Sequence, residues 1–226
     1  LLNNSVKDEI IKMQKQLKLF KDCKAPCIAF CEVAGSIQGN SKTPLSRRPI
    51  LNKDEWKKFL NKLDELSKYM QDYGMPMAYH HHMGTIVQSQ NDTQRLIENT
   101  KETVKLLVDT GHMLFAGGDS LKVINDYSSR LLHVHCKDIR KDVLGTALKK
   151  DLSFIDAFFA GAFTVPGDGC IDYKPILELL KKINYNGWLV VEAEQDPKKA
   201  NPFEYGKIGY KYLSNLAKQS GYKIIH

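Results

Sequence analysis

Short apolar runs alternate with longer amphipathic segments through most of this sequence, and this alternation constrains the fold more than any other feature. The amphipathic segments repeat their apolar residues at the period of helices that cover a core on one face. Repeated strand–helix units predict an α/β fold with a parallel sheet, because parallel strands need a long crossover between them. The predicted strands are residues 25–31, 75–82, 104–109, 131–135 and 188–192. The predicted helices are residues 6–21, 52–73, 91–100, 120–128, 152–163, 172–182 and 202–219.

Five strands are too few to close an eight-stranded barrel. Two arrangements therefore remain open: an open parallel sheet, or a barrel that lacks about three N-terminal strands in this chain. The sequence starts without Met, so we expect a trimmed chain or a fragment. Its 226 residues and 42% hydrophobic content suit one core, and we expect a single, partial barrel domain over residues 1–226.

Charge and cysteine usage narrow the class of protein. The net charge of +7 comes mostly from lysines on predicted helix faces, and no dense basic block is interleaved with aromatic residues, so we expect no nucleic-acid partner. No apolar run could cross a bilayer and the first residues lack signal-peptide features, so we expect no membrane partner. Five cysteines without a Cys-x-x-Cys pair argue against a disulfide framework and favour the reducing cytoplasm.

Six of the seven histidines lie where predicted strands end, and carboxylates follow strands in the same way. The carboxyl ends of parallel strands meet at one edge of a sheet, where the active sites of such folds lie. Imidazoles and carboxylates gathered there predict a divalent metal site, and therefore a metal-dependent enzyme. The segments are 79–82 (Tyr-His-His-His), 109–112 (Asp-Thr-Gly-His), 133–138 (His-Val-His-Cys-Lys-Asp) and 188–194 (Trp-Leu-Val-Val-Glu-Ala-Glu).

Strand alternation sorts these residues into candidate ligands and supporting residues. Side chains on a strand point to alternate faces, so Asp109 stands at a strand tip and could meet His135 and Glu192 from two other tips. One imidazole and two carboxylates suit Mn²⁺, Co²⁺, Fe²⁺ or Zn²⁺. His133 lies one step deeper in its strand, and we expect it to pack or to support the ligands. We expect His81 to face the helix layer.

Five segments together resemble the inosose dehydratase family of the xylose-isomerase-like barrel superfamily, in order and in spacing. The Asp-Thr-Gly-His and His-Val-His-x-Lys-Asp patterns are typical of the whole superfamily. The triple histidine, the Pro-Gly-Asp-Gly loop and the Glu-Ala-Glu-Gln-Asp-Pro run are typical of the dehydratases. The resemblance extends from about Val6 to the last predicted helix, through the segments 79–85, 109–112, 133–138, 163–169 and 187–197.

The resemblance implies a (β/α)₈ barrel that uses Mn²⁺ or Co²⁺, with Zn²⁺ or Fe²⁺ also possible. It implies dehydration of 2-keto-myo-inositol to a trihydroxycyclohexane-dione. Asp109, His135 and Glu192 match the superfamily's metal ligands. The remaining ligand is usually a glutamate on the preceding strand, which here carries the triple histidine. Our first choice for that ligand is His82, and our second is Gln88.

Such a reaction removes a proton next to the ketone and then expels the β-hydroxyl group. His112 matches a position that usually contacts substrate, and we expect it to donate the proton to the leaving hydroxyl. The candidates for the base are Glu194, His80 and His82. The residues expected to bind substrate or orient ligands are Lys137, Asp168 and Glu32.

Three alternatives stay open. A ketose isomerase or epimerase on the same fold would share the metal but return the proton to carbon. An endonuclease-IV-like enzyme would share the His-x-His and Asp-x-x-His patterns, although that branch needs more metal ligands than this chain offers. A barrel fragment could bind metal without turnover. We expect a small polyol ketone as the partner, and homo-oligomerisation is compatible with the sequence.

Overall fold

The computed structural model describes residues 1–225, which form an α/β fold. The strands are β1 (Ile28–Phe30), β2 (Met77–His80), β3 (Val104–Asp109), β4 (Leu131–Cys136), β5 (Asp138–Ile139), β6 (Phe163–Thr164) and β7 (Leu189–Val191). The helices are α1 (Val6–Asp22), α2 (Lys53–Asp72), α3 (Gln90–Glu98), α4 (Thr110–Phe115), α5 (Ser120–Asp126), α6 (Lys141–Lys149), α7 (Phe154–Ala160), α8 (Tyr173–Lys182) and α9 (Pro202–Gln219). Single 3-10 turns cover Leu45–Arg47 and Ser128–Arg130.

The main sheet is parallel, with the strand order β1-β2-β3-β4-β7, and it is curled. Cys27, just before β1, and His133 of β4 have two strands between them, yet Sγ of Cys27 lies 3.8 Å from Nδ1 of His133. In a flat sheet, with strands about 4.8 Å apart, the same two positions would be more than about 10 Å apart. The curl turns the carboxyl ends of the strands toward one another.

The helices lie on the outer face of the curl and supply most of the core. The central strand β3 is buried along almost its whole length, as expected when both faces of a parallel sheet are covered. The buried face of α2 includes Phe59, Leu63, Leu66 and Met70. Among residues 1–225, no helix has both the length and the apolar character needed to cross a membrane.

The predicted α/β class is confirmed, and each predicted strand overlaps one strand of the main sheet. The predicted helix over 152–163 is wrong at its C-terminal end. Gly161 adopts a φ of +88° and stops α7, and the residues that follow form β6, which pairs antiparallel with β5. Helices α4 and α6 were not predicted. α4 spans six residues and starts directly where β3 ends, so no loop or long apolar period marks it.

A buried carboxylate holds the Pro-Gly-Asp-Gly loop against the end of β4. Asp138 is fully buried, and its side chain accepts the amide hydrogens of Ile139 (2.7 Å), Ile171 (2.9 Å) and Gly167 (3.3 Å). A Cβ atom at Gly169 would lie 2.2 Å from Asp138 Oδ1. The loop therefore approaches the carboxylate as closely as a residue without a side chain permits.

We expect Gly169→Ala to lower the free energy of unfolding by about 1–3 kcal/mol, because the added methyl group overlaps the Asp138 carboxylate. Gly145→Ala is the matched control. Gly145 lies in α6 with no atom within 4 Å of its would-be Cβ, and alanine there should stabilise the helix by about 0.5–1 kcal/mol. Urea unfolding followed by circular dichroism measures both. Equal stability of the two variants would contradict the proposed contact.

Candidate metal centre and active site

The Asp-Thr-Gly-His segment joins β3 directly to α4 and sets several functional groups at the sheet edge. Asp109 ends β3, and its Oδ1 accepts the amide hydrogen of His112 at 2.8 Å. The Thr110 hydroxyl donates to the backbone oxygen of Lys137 at 2.7 Å. A Cβ atom at Gly111 would lie 2.7 Å from Lys137 Cγ, so glycine leaves room for the lysine stem. The segment thus fixes a carboxylate, an imidazole and a lysine relative to one another.

Four buried atoms at four strand ends form a row of close contacts, each between residues of neighbouring strands. They are His80 Nε2, Asp109 Oδ2, His135 Nδ1 and Glu192 Oε2. Asp109 Oδ2 lies 3.5 Å from the His80 nitrogen and 3.6 Å from the His135 nitrogen, which is 2.5 Å from the Glu192 oxygen. Among residues 1–225, none of the four atoms has a hydrogen-bond partner with acceptable geometry. Buried polar atoms left unpaired are costly, whereas a shared divalent cation would satisfy all four.

The predicted ligands Asp109, His135 and Glu192 do come together, since their side-chain donor atoms form one group within 4.8 Å. The fourth neighbour differs from our first choice. His80, the last residue of β2, lies beside Asp109, while His82 lies in a second group, past the end of the strand. Gln88, our second choice, uses its side-chain oxygen to accept the amide hydrogen of Gly84 at 2.7 Å.

The second group contains His82, His112 and Glu194. Glu194 Oε1 lies 3.5 Å from His82 Nε2, and Glu194 Oε2 lies 3.2 Å from His112 Nε2. The fully buried Lys137 places its Nζ 2.9 Å from His112 Nε2 and 3.0 Å from Glu194 Oε2. The same Nζ lies 3.4 Å from Asp109 Oδ2, so the lysine connects the two groups.

Burial and mutual attraction set the charges of these residues. Burial opposes ionisation of Asp109, but the Lys137 ammonium and the nearby imidazoles hold the pKa of Asp109 well below its usual range. Burial also opposes ionisation of Glu194, whose pKa is nevertheless lowered by hydrogen bonds from His112 and His82 and by Lys137. Burial first, and then the Lys137 charge, lower the pKa of His112. Burial disfavours the charge on Lys137, yet the surrounding carboxylates raise its pKa.

Two predicted substrate-binding residues lie outside both groups. Asp168 accepts hydrogen bonds from Arg140 Nη2 at 2.6 Å and from the Thr164 hydroxyl at 2.5 Å. Glu32 follows β1, is buried, and accepts the amide hydrogen of Ala34 at 2.9 Å. Both carboxylates are thus engaged by the protein, and their contact with substrate stays a prediction.

His133, expected to pack or to support the ligands, and His81, expected to face the helix layer, both lie beside the candidate ligands. His81 is fully buried, and its Nε2 accepts the amide hydrogen of Asp109 at 3.2 Å. That bond steadies the end of β3. His133 contacts Cys27, as described above, and its ring centre lies 5.3 Å from that of His135. Neither residue belongs to any of the three groups of candidate ligands, the third of which joins His80, Asp109 and His112.

Gln38, which lies in the loop after β1, is a neighbour of the site that was not predicted from the sequence. Its side-chain amide is 2.5 Å from His82 Nδ1 and 3.4 Å from the backbone oxygen of Met83. The loop is held there because the amide of Ile37 donates to the backbone oxygen of Gly84 at 3.0 Å. In sequence, Gln38 is one polar residue of a long loop, and no spacing distinguishes it from its neighbours.

Comparisons with known proteins place the chain in a family and support the fold. Residues 3–216 match the model of the xylose isomerase-like TIM barrel family. The rhizopine catabolism protein MocC of Rhizobium meliloti is 42% identical over 99% of this chain and 69% of its own length. An inosose dehydratase of Clostridium tetani is 46% identical over 87% of this chain and 66% of its own length.

A solved structure of IolI protein with a bound zinc atom superimposes with a TM-score of 0.61 at 18% identity. The match covers 94% of this chain and 67% of that one, and it supports the fold. The chain thus spans about two thirds of the length of each of these three relatives.

We expect Asp109→Asn to weaken the binding of Co²⁺ by more than about 100-fold, which is the upper range for changes to the partners of metal ligands. The amide keeps an oxygen that can accept the His112 hydrogen bond, so the loss should come from the charge and not from the start of α4. Asp168→Asn is the control, since its carboxylate lies outside both groups and pairs with Arg140. Calorimetric titration of the metal-stripped proteins measures the affinities. Unchanged Co²⁺ affinity in Asp109→Asn would remove Asp109 from the ligand set.

Proposed function

The chain belongs to the xylose isomerase-like TIM barrel family, and on that premise we propose that it is a metal-dependent inosose dehydratase. It removes water from 2-keto-myo-inositol to give a trihydroxycyclohexane-1,2-dione. The observation that carries this proposal is the set of unpaired buried atoms at four strand ends, in a chain 46% identical to an inosose dehydratase. Relatives named inosose dehydratase are 40% to 46% identical to this chain.

The metal, which we propose to be Mn²⁺ or Co²⁺, would be held by Asp109, His135, Glu192 and His80. Two carboxylates and two imidazoles form a mixed oxygen and nitrogen ligand set that suits such borderline ions. When bound, the ion supplies Lewis-acid stabilisation of the charge that develops on the substrate ketone oxygen. The protein contributes the geometry, since the curl of the sheet brings the ends of the strands that carry these residues toward one another.

Glu194 is the base in this proposal. It is the carboxylate of the second group, outside the proposed ligand set, and it is half-buried rather than sealed from a substrate. Glu194 Oε1 takes the proton from the carbon next to the ketone. His82 lies 3.5 Å from that oxygen and orients it, and the Lys137 ammonium, 3.0 Å from Oε2, offsets the charge of the carboxylate.

The departing hydroxyl group needs a proton, and His112 is placed to pass it on. His112 Nε2 lies 3.2 Å from Glu194 Oε2, so the proton removed from carbon can return to the substrate through this imidazole. The carbon–oxygen bond breaks, the hydroxyl leaves as water, and the resulting enol tautomerises to the dione. Asp168 and Glu32 remain proposed substrate contacts from the loops that surround the site.

A reducing, cytoplasmic location follows from the same proposal. All five cysteines are free thiols, and Cys27 and Cys136 are buried beside strands that lead to the site. Burial raises the pKa of Cys136, which keeps its thiol protonated and inert. A small polyol ketone is the expected partner, and a homo-oligomer stays a prediction.

The test is turnover of 2-keto-myo-inositol by metal-stripped protein, with and without added Mn²⁺ or Co²⁺. The product dione is followed by its ultraviolet absorbance. We expect product only when metal is added. Recovery of an isomeric ketone instead of the dione would show an epimerase, and no product from folded, metal-loaded protein would overturn the proposed reaction for this chain.

The role of Glu194 is tested by Glu194→Gln. We expect kcat to fall by roughly 10²–10⁴-fold, the usual contribution of a positioned acid or base. The affinity for the first Co²⁺ ion should change little, because Glu194 is outside the proposed ligand set. If Glu194→Gln lowered the Co²⁺ affinity as much as Asp109→Asn does, Glu194 would be a metal ligand and not the base.

A further inference from the structure

Lys137 occupies an unusual position for a lysine, because its ammonium group is fully buried among groups that bind cations. Its Nζ lies 2.9 Å from His112 Nε2 and 3.0 Å from Glu194 Oε2. On the other side it lies 3.4 Å from Asp109 Oδ2 and 3.6 Å from Glu192 Oε1. The carboxylate oxygens of Asp109, Glu192 and Glu194 all offer lone pairs to the ammonium, as they would to a metal ion.

The second group has the composition of a metal site in its own right. The donor atoms of His82, His112 and Glu194 all lie within 4.8 Å of one another. Two imidazoles and a carboxylate are a common donor set for Zn²⁺ or Co²⁺. The Lys137 Nζ, however, lies within hydrogen-bonding distance of two of these three donors, where a cation would otherwise bind.

We propose that the Lys137 ammonium is a built-in cation that keeps the group of His82, His112 and Glu194 free of metal and limits the active site to one divalent ion. The proposal rests on the metal centre of the proposed function. The charges support it. Three carboxylates, those of Asp109, Glu192 and Glu194, face one ammonium, and a single divalent ion balances the remaining charge.

The lysine cannot readily swing away to admit a second ion. A Cβ atom at Gly111 would overlap Lys137 Cγ, which shows how tightly α4 packs on the stem. Thr110 holds the backbone of Lys137. Its hydroxyl donates to the backbone oxygen of Lys137 and accepts the backbone amide hydrogen of Lys137 at 3.2 Å. The ring centre of Phe163 lies 5.2 Å from Nζ and covers another side of the ammonium.

The experiment counts bound metal. Metal-stripped protein is equilibrated with excess Co²⁺, freed of unbound ion by gel filtration, and analysed for cobalt per chain and for the cobalt absorption spectrum. We expect about one equivalent in the wild type and about two in Lys137→Met, which keeps the length of the side chain but removes its charge. Lys122→Met, at an exposed lysine that pairs with Asp126, is the matched control and should keep about one equivalent.

The double variant Lys137→Met with Glu194→Gln should return to about one equivalent, because the second site then lacks its carboxylate. Circular dichroism verifies that each variant is folded. Two equivalents of Co²⁺ in the wild type would by themselves overturn the inference. The test therefore still works if Lys137→Met fails to fold. One equivalent in both wild type and folded Lys137→Met would overturn it as well. A wild type that binds no Co²⁺ would overturn the metal centre, and the inference with it.

Discussion

The curl of the parallel sheet is the constraint on which the site depends. Asp109 pairs in register with His135 on the neighbouring strand, and His80 and Glu192 come from the strands on either side of that pair. In a flat sheet the outermost of these four positions would be roughly three strand spacings apart, about 14 Å. The segments that follow β2 and β7 are three strand spacings apart, yet His82 Nε2 lies 3.5 Å from Glu194 Oε1, so the strand ends bend toward a common centre.

Gathering carboxylates in a dry interior is unfavourable unless cations compensate their charge. The fully buried Lys137 supplies one positive charge inside the chain, and the four unpaired atoms define the place for a second, external one. The Asp-Thr-Gly-His segment therefore has a structural task as well as a chemical one. Asp109 provides a candidate ligand and starts α4. Thr110 and Gly111 fit the lysine against that helix, and His112 belongs to the second group.

Much of this could be predicted from sequence, since the strand–helix rhythm and the polar residues at strand ends are both local patterns. Asp109, His135 and Glu192 were predicted as neighbours because each ends or follows an apolar run, and the structure brings them together. The barrel class is confirmed by the family match over residues 3–216. Alternation of side chains placed His80 and His82 on one face, but it could not decide which of them would reach Asp109.

The sequence by itself determined the fold class and the inventory of ligands, because hydrophobic periodicity and residue chemistry are properties of the chain's own order. The tertiary structure decided which ligand joins which group, since that choice depends on where β2 ends and how far the sheet bends. It also decided that Gln38 contacts His82 and that Lys137 lies between the two groups. These contacts join segments far apart in the chain, and local patterns carry no information about such distances.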